Sequence, residues 1–151
     1  LIWDLLHHFT PKIAIFHNPY LSAYGIKSGM TGRTLQNMKQ LNVRPKDIHK
    51  VFFSHLHPDH VGGIKESRNQ MFSLSQGDVD IRNAVVYAPE DITPSSFNPV
   101  KKVEVITRPS VIQRGVASIG SIPRHLFIAG RVEEQSLVVN VQGKGLVFIN
   151  G

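Results

Sequence analysis

The chain has 151 residues, of which 41% are hydrophobic and 19% charged, a globular composition that excludes a wholly disordered protein. It contains no Cys, so a disulfide framework and a thiolate metal site are both excluded, and no apolar run approaches the roughly 20 residues of a membrane-spanning helix. Lys and Arg number 17 against 11 Asp and Glu, for a formal charge of +6, but they are scattered, so a mildly basic solvated surface is expected rather than a polyanion-binding tract.

Residues 1–10 (LIWDLLHHFT) place Leu1, Ile2, Leu5, Leu6 and Phe9 at helical spacing, and Thr10-Pro11 stops that helix. Residues 13–16 read as a short strand, Asn18-Pro19 as a turn, Tyr20 to Ile26 as extended chain and Ser28 to Gly32 as a loop. Leu35, Met38 and Leu41 recur every three residues and predict an amphipathic helix that ends near Asn42, before Pro45. Pro45-Lys46-Asp47 restarts the chain, and Val51-Phe52-Phe53 predicts a short buried strand. A polar cluster, Ser54 to His60, follows at once. Val61 and Ile64 then bracket Gly62-Gly63 and are expected to anchor the next helix in the core. The polar stretch 65–80 reads as a mobile flap beside the cluster. The second half is rich in β-forming runs, at 84–88, 100–107, 110–113, 125–129, 136–142 and 144–149, and Gly143-Lys144-Gly145 joins the last two as a hairpin. With helices early, strands late and no internal repeat, one domain over 1–151 with α/β or α+β layering is expected.

The chemistry concentrates in His55-Leu56-His57-Pro58-Asp59-His60, which holds three of the eight histidines and a carboxylate within six residues. The segment follows an apolar strand, where a loop leaves a rigid sheet. His55 and His57 are two apart, so in extended chain both rings can point the same way, and imidazole nitrogen binds divalent metals at roughly 2.0–2.1 Å. Asp59 and His60 lie past the bend at Pro58 and can face a second point nearby. Two metals roughly 3.5–4 Å apart would share a water and lower its pKa toward about 7. Ser54 can steady a neighbouring ligand by a hydrogen bond, and Gly62 and Gly63 let the backbone pass close to the site. For His7, His8, His17, His49 and His125, which lie outside this cluster, a surface or packing role is expected.

The run SHLHPDHVGGI, Ser54 to Ile64, resembles the His-x-His-x-Asp-His signature of the metallo-β-lactamase superfamily. The upstream LQNMKQLNVRPKDIHKVFFSH is similar to the helix, loop and strand that precede that signature. The downstream EEQSLVVNVQGKGLVFING is similar to a late hairpin of the 7,8-dihydropterin-6-methyl-aminobenzene-ribofuranosyl phosphate synthase-like branch. The resemblance implies an α/β fold, an αββα sandwich incomplete at its N- and C-terminal ends, with a dinuclear metal site at one edge. It implies that His55 and His57 bind a first divalent ion and Asp59 and His60 a second, with Asp59 also the candidate catalytic residue. Zinc is the first choice of metal, with iron or manganese as alternatives. The implied activity is that of a metal-dependent hydrolase using an activated water, or of a related transferase, on a small molecule such as a pterin or a phosphorylated compound. A cytoplasmic location is expected from the lack of Cys and of a visible targeting segment. No membrane partner is expected, and nucleic acid is disfavoured.

The resemblance also implies a third histidine for the first site, a later bridging carboxylate and a final histidine, all beyond Gly151. Two protein ligands are fewer than the three that catalytic zinc sites keep, so low metal occupancy is expected, and a fragment is the simplest reading of the chain. The expectation thus has two rivals: a non-catalytic binding module on the same fold, and a nucleic-acid phosphodiesterase favoured only by the basic charge. Secondary candidates are Asp78 and Asp80 as ligands, and Glu133 and Glu134 as groups orienting the metals. Arg124, His125 and Arg131 are candidates to meet a substrate phosphate.

Overall fold

The computed structural model describes residues 12–15, 38–40, 42–74, 79–126 and 130–150. The helix expected at 1–10 and the turn, extended chain and loop expected over 18–32 lie outside them. Strand β1 (Lys12–Ile15) realises the first expected strand, and residues 38–40 are helical, with Met38 buried and Lys39 and Gln40 exposed as the periodicity requires. A single 3-10 turn, Pro45–Asp47, then leads into β2 (Ile48–Phe52). That strand starts three residues earlier than its apolar run because Ile48, 1% exposed, is already in the core.

Two short helices follow, α1 (Pro58–Val61) and α2 (Ile64–Arg68), and then β3 (Met71–Phe72). The remaining strands are β4 (Val85–Ala88), β5 (Thr93–Pro94), β6 (Lys102–Val105), β7 (Ser110–Gln113), β8 (Val116–Ser118), β9 (Ile122–Leu126), β10 (Gly130–Glu134), β11 (Leu137–Val141) and β12 (Gly145–Ile149). Strands β1, β2, β4 and β6 form a wholly parallel sheet in the order β1-β2-β4-β6. Strands β7, β8, β11 and β12 form an antiparallel sheet in the order β12-β11-β8-β7. Smaller ladders pair β3 with β5 and β9 with β10.

The core follows from the two-residue period of a strand, which sends neighbours to opposite faces. Val51, Val86, Ala88 and Val103 turn to one side of the parallel sheet and join Met38, Val61, Phe72 and Leu74. Phe52, Val85 and Tyr87 turn to the other side and meet Val116, Leu137, Val139 and Ile149 of the antiparallel sheet. The parallel sheet is therefore sandwiched, which is why its strands are short and apolar on both faces. Each fully buried aliphatic or phenyl side chain contributes about 1.5–3 kcal/mol by leaving water.

The outer face of the antiparallel sheet is different. Register brings Phe148 beside Val138, Val138 beside Ala117 and Ala117 beside Val111, an apolar row across four strands. Val111, Leu146 and Phe148 are exposed. Among the described residues no helix covers this face, so what they show of an αββα sandwich is its two stacked sheets. Three expectations change. Ile64 is exposed rather than an anchor, and the end of α1 is held by the buried Val61 and His60. The polar stretch 65–80 is not a flap over its described part, since Phe72, Leu74 and Val79 are fully buried. The strand expected at 125–129 runs at 122–126, and β8 and β10 are added. The last hairpin forms as expected, with Gly143 and Gly145 at positive φ and the Lys144 N–H donating to Val141 O at 2.9 Å.

Candidate metal centre

The histidine cluster sits at the carboxyl end of β2, the end of a parallel sheet where open crevices form. Phe53 extends the ladder by one bond, its N–H donating to Tyr87 O at 2.9 Å. Ser54, His55 and Leu56 are buried although they belong to no strand or helix. His57 then caps α1 in extended conformation, Pro58 supplies the preset first helical φ, and Asp59 and His60 are carried on this single helical turn rather than on a loop.

The three rings are brought together. The His55 and His57 centroids are 4.5 Å apart with planes at 87°, and those of His55 and His60 are 4.0 Å apart. His55 is 9% exposed and His60 4%, while His57 and Asp59 are half-buried. Ser54 Oγ lies 3.0 Å from His55 Nδ1, the steadying contact the sequence suggested. The Asp59 carboxylate lies 3.5 Å from His60 Nε2. The Nε2 atom of His57 is buried and, among the described residues, has no hydrogen-bond partner. The rings pack on one another, and among the described residues no three His, Asp or Glu side chains are grouped so that they could hold a metal ion.

The backbone around the cluster is tightly fixed. Ser67 Oγ donates to Leu56 O at 2.6 Å, and the Ser73 N–H donates to Val61 O at 2.8 Å. Gly62 closes α1 at φ +116°, where a Cβ would stand 2.3 Å from Ser73 O.

The secondary candidates are placed elsewhere or engaged. Asp78 lies outside the described residues, and Asp80 is held by the Arg82 guanidinium at 2.9 Å, which lowers its pKa through hydrogen bonding. Arg124 pairs with Glu134 and Arg131 with Glu133, each at 2.7 Å, on the β9–β10 ladder, while His125 is exposed. Glu133 also accepts a hydrogen bond from Ser121 Oγ, and these contacts lower its pKa. The residue that ties this ladder to the cluster is the next one, Gln135, which the sequence did not single out. It is fully buried, and its backbone N–H donates to Ser54 O at 2.8 Å.

Glu90 follows β4 at the same end of the parallel sheet. Burial raises its pKa, the Glu133 charge adds to this, and Arg131 opposes it. A carboxyl whose folded pKa is raised binds protons more tightly folded than unfolded, so its ionisation works against the fold as pH rises through the ordinary carboxylate range. Glu90→Gln is therefore expected to melt above the parent chain at pH 7. The gap should close as pH falls below the ordinary carboxylate value of about 4.3. Thermal melts of both proteins across that range check it, and a gap that persists in acid would contradict the assignment.

Comparison with known proteins bears on this geometry. Residues 26–70, which contain the whole histidine cluster, match the model of the metallo-beta-lactamase superfamily. A crystal structure of a candidate metallo-beta-lactamase from Thermotoga maritima matches with a TM-score of 0.51 and 18% identity, over 95% of this chain. The fold is accordingly that of the metallo-β-lactamases. The chain spans 64% of the length of that Thermotoga protein. No curated protein matches the sequence. Among the described residues no helix is long and apolar enough to cross a membrane.

Proposed function

We propose that the chain is a metallo-β-lactamase superfamily domain whose histidine cluster serves metal-dependent hydrolysis of a small molecule. The observation that carries this reading is the orphaned Nε2 of His57. A buried ring nitrogen without a partner costs about 1–3 kcal/mol, and a cation is the partner that would repay it. The donor set suits such an ion by residue type, since imidazoles and a carboxylate take zinc, iron or manganese, and the His55 centroid lies 4.5 Å from that of His57 and 4.0 Å from that of His60; the described side chains, packed ring on ring, would have to turn toward the ion to group around it. In this reading His55 and His57 hold a first ion and Asp59 and His60 a second.

A bound ion would supply Lewis-acid polarisation and acidify water. The protein's own part is positional. Ser54 fixes the plane of the His55 ring, as groups behind metal ligands do. Pro58 and the Gly62 turn set where Asp59 and His60 emerge. Leu56 and Val61, both buried, anchor the segment in the core between and after the histidines.

The test is metal analysis of the purified chain with turnover of bis(4-nitrophenyl) phosphate. Zinc or manganese uptake, with activity lost on chelation and restored on re-addition, is expected. A folded chain that takes up no metal from either salt would reject the enzyme reading and leave a binding module on the same fold.

A further inference from the structure

We propose that Gln135 is the positioning residue of the histidine cluster: a buried amide that clamps the end of β2 to the antiparallel sheet and so fixes where His55 begins. The inference rests on the metal-centre reading above for its consequence, but its geometry stands apart from any metal.

Gln135 lies between β10 and β11, is 0% exposed, and is separated from Phe53 by 82 residues of sequence. Its side-chain Nε2 donates to Phe53 O at 2.9 Å, and its Oε1 accepts from Ser118 Oγ at 2.7 Å. Its backbone N–H takes the next carbonyl, Ser54 O, at 2.8 Å. One residue thus holds two consecutive carbonyls directly upstream of His55, while the Phe53 N–H is held by Tyr87 O of β4. Ser54, gripped in this way, presents its Oγ to His55 Nδ1. Ser118 is fixed in turn, its Oγ also accepting from the Gly120 N–H at 3.1 Å.

The chain of bonds runs from β8 through the Gln135 amide to the backbone at 53–54 and on to the imidazole. A fully buried amide is costly unless its bonds are made, and here they end on the backbone that leads into His55. Its effect on metal binding is of the kind that groups behind the ligands exert, about 10- to 100-fold in affinity.

The experiment uses Gln135→Met, which keeps length and bulk but removes both side-chain bonds, and Ser118→Ala, which leaves the Gln135 Nε2 bond to Phe53 O in place while removing the Oε1 partner and the acceptor of the Gly120 N–H. Amide hydrogen exchange is read on chelator-treated protein, and Co(II) affinity is read from the visible spectrum. In Gln135→Met, exchange over residues 53–57 is expected to speed up by about tenfold while Val51 and Val86 keep their protection. Co(II) affinity should fall within the range above. Ser118→Ala should change both in the same direction by less, and it carries the test alone where Gln135→Met does not fold. Exchange that rises equally everywhere, or does not change at 53–57, overturns the clamp even where the parent chain binds Co(II). A parent chain that binds no Co(II) while the exchange change stays local overturns the metal reading and leaves the clamp in place.

Discussion

His57→Ala is expected to lower phosphodiester turnover by at least about 100-fold, more than the loss seen when only a group behind a metal ligand is changed. The same substitution is expected to leave the metal-free chain as stable as before, or slightly more stable. The reason is the unpartnered Nε2: a half-buried imidazole with an orphaned nitrogen is a cost that alanine removes. A packing residue would behave in the opposite way, losing stability together with activity. Urea unfolding in the presence of a chelator, set beside turnover in added zinc, separates the two. Parallel loss of both would show that His57 is filler in the loop.

Gly62→Ala is expected to destabilise the chain by about 3 kcal/mol or more, combining left-handed strain with a steric clash. At φ +116° an L residue is strained whatever surrounds it, and the new Cβ would stand 2.3 Å from Ser73 O and 3.1 Å from Ser73 C and N. Those are backbone atoms, tied to α1 by the bond from the Ser73 N–H to Val61 O, so they cannot swing aside. Gly143→Ala is the control. It shares a positive φ, +72°, with nothing within 4 Å of its Cβ position, and should cost only the conformational part, about 1 kcal/mol. Denaturant midpoints of the two variants give the clash by difference. Equal costs would mean that the approach of Ser73 to Gly62 does not constrain the fold. Because α1 carries Asp59 and His60, the loss should also appear as weaker metal uptake.

The elements that were legible in the sequence are those specified by short-range pattern. Val51-Phe52-Phe53 reads as buried because both faces of its strand are covered, and the Gly143-Lys144-Gly145 turn reads as a hairpin because its backbone needs positive φ. The cluster at 55–60 was legible because its donors are contiguous. What stayed hidden depends on distant partners. Strand β10 is written Gly-Arg-Val-Glu-Glu, and its charged residues pair with one another or across to β9, so no apolar alternation marks it. Phe72 and Leu74 sit in a polar neighbourhood and are buried by contacts with Val51 and Phe53 that local spacing does not encode. Gln135 looks like any polar residue between strands until the fold brings it against residues 53 and 54. Asn98 is similar: it is 1% exposed and donates its amide to Leu74 O and Val79 O, 24 and 19 residues away in sequence.

Strand β12 has a neighbour on one flank only among the described residues, and its five residues, Gly145 to Ile149, include neither charge nor proline. Sheets generally guard such a margin with lysine, a bulge or a covering segment. A formal charge of +6 is expected to hold molecules apart by mutual repulsion. That protection fades with ionic strength, since the screening length shrinks from about 10 Å at 0.1 M to about 3 Å at 1 M salt. Preparations of this chain should accordingly stay monodisperse in dilute buffer and cloud on salting, with Leu146 and Phe148 as the adhesive spots.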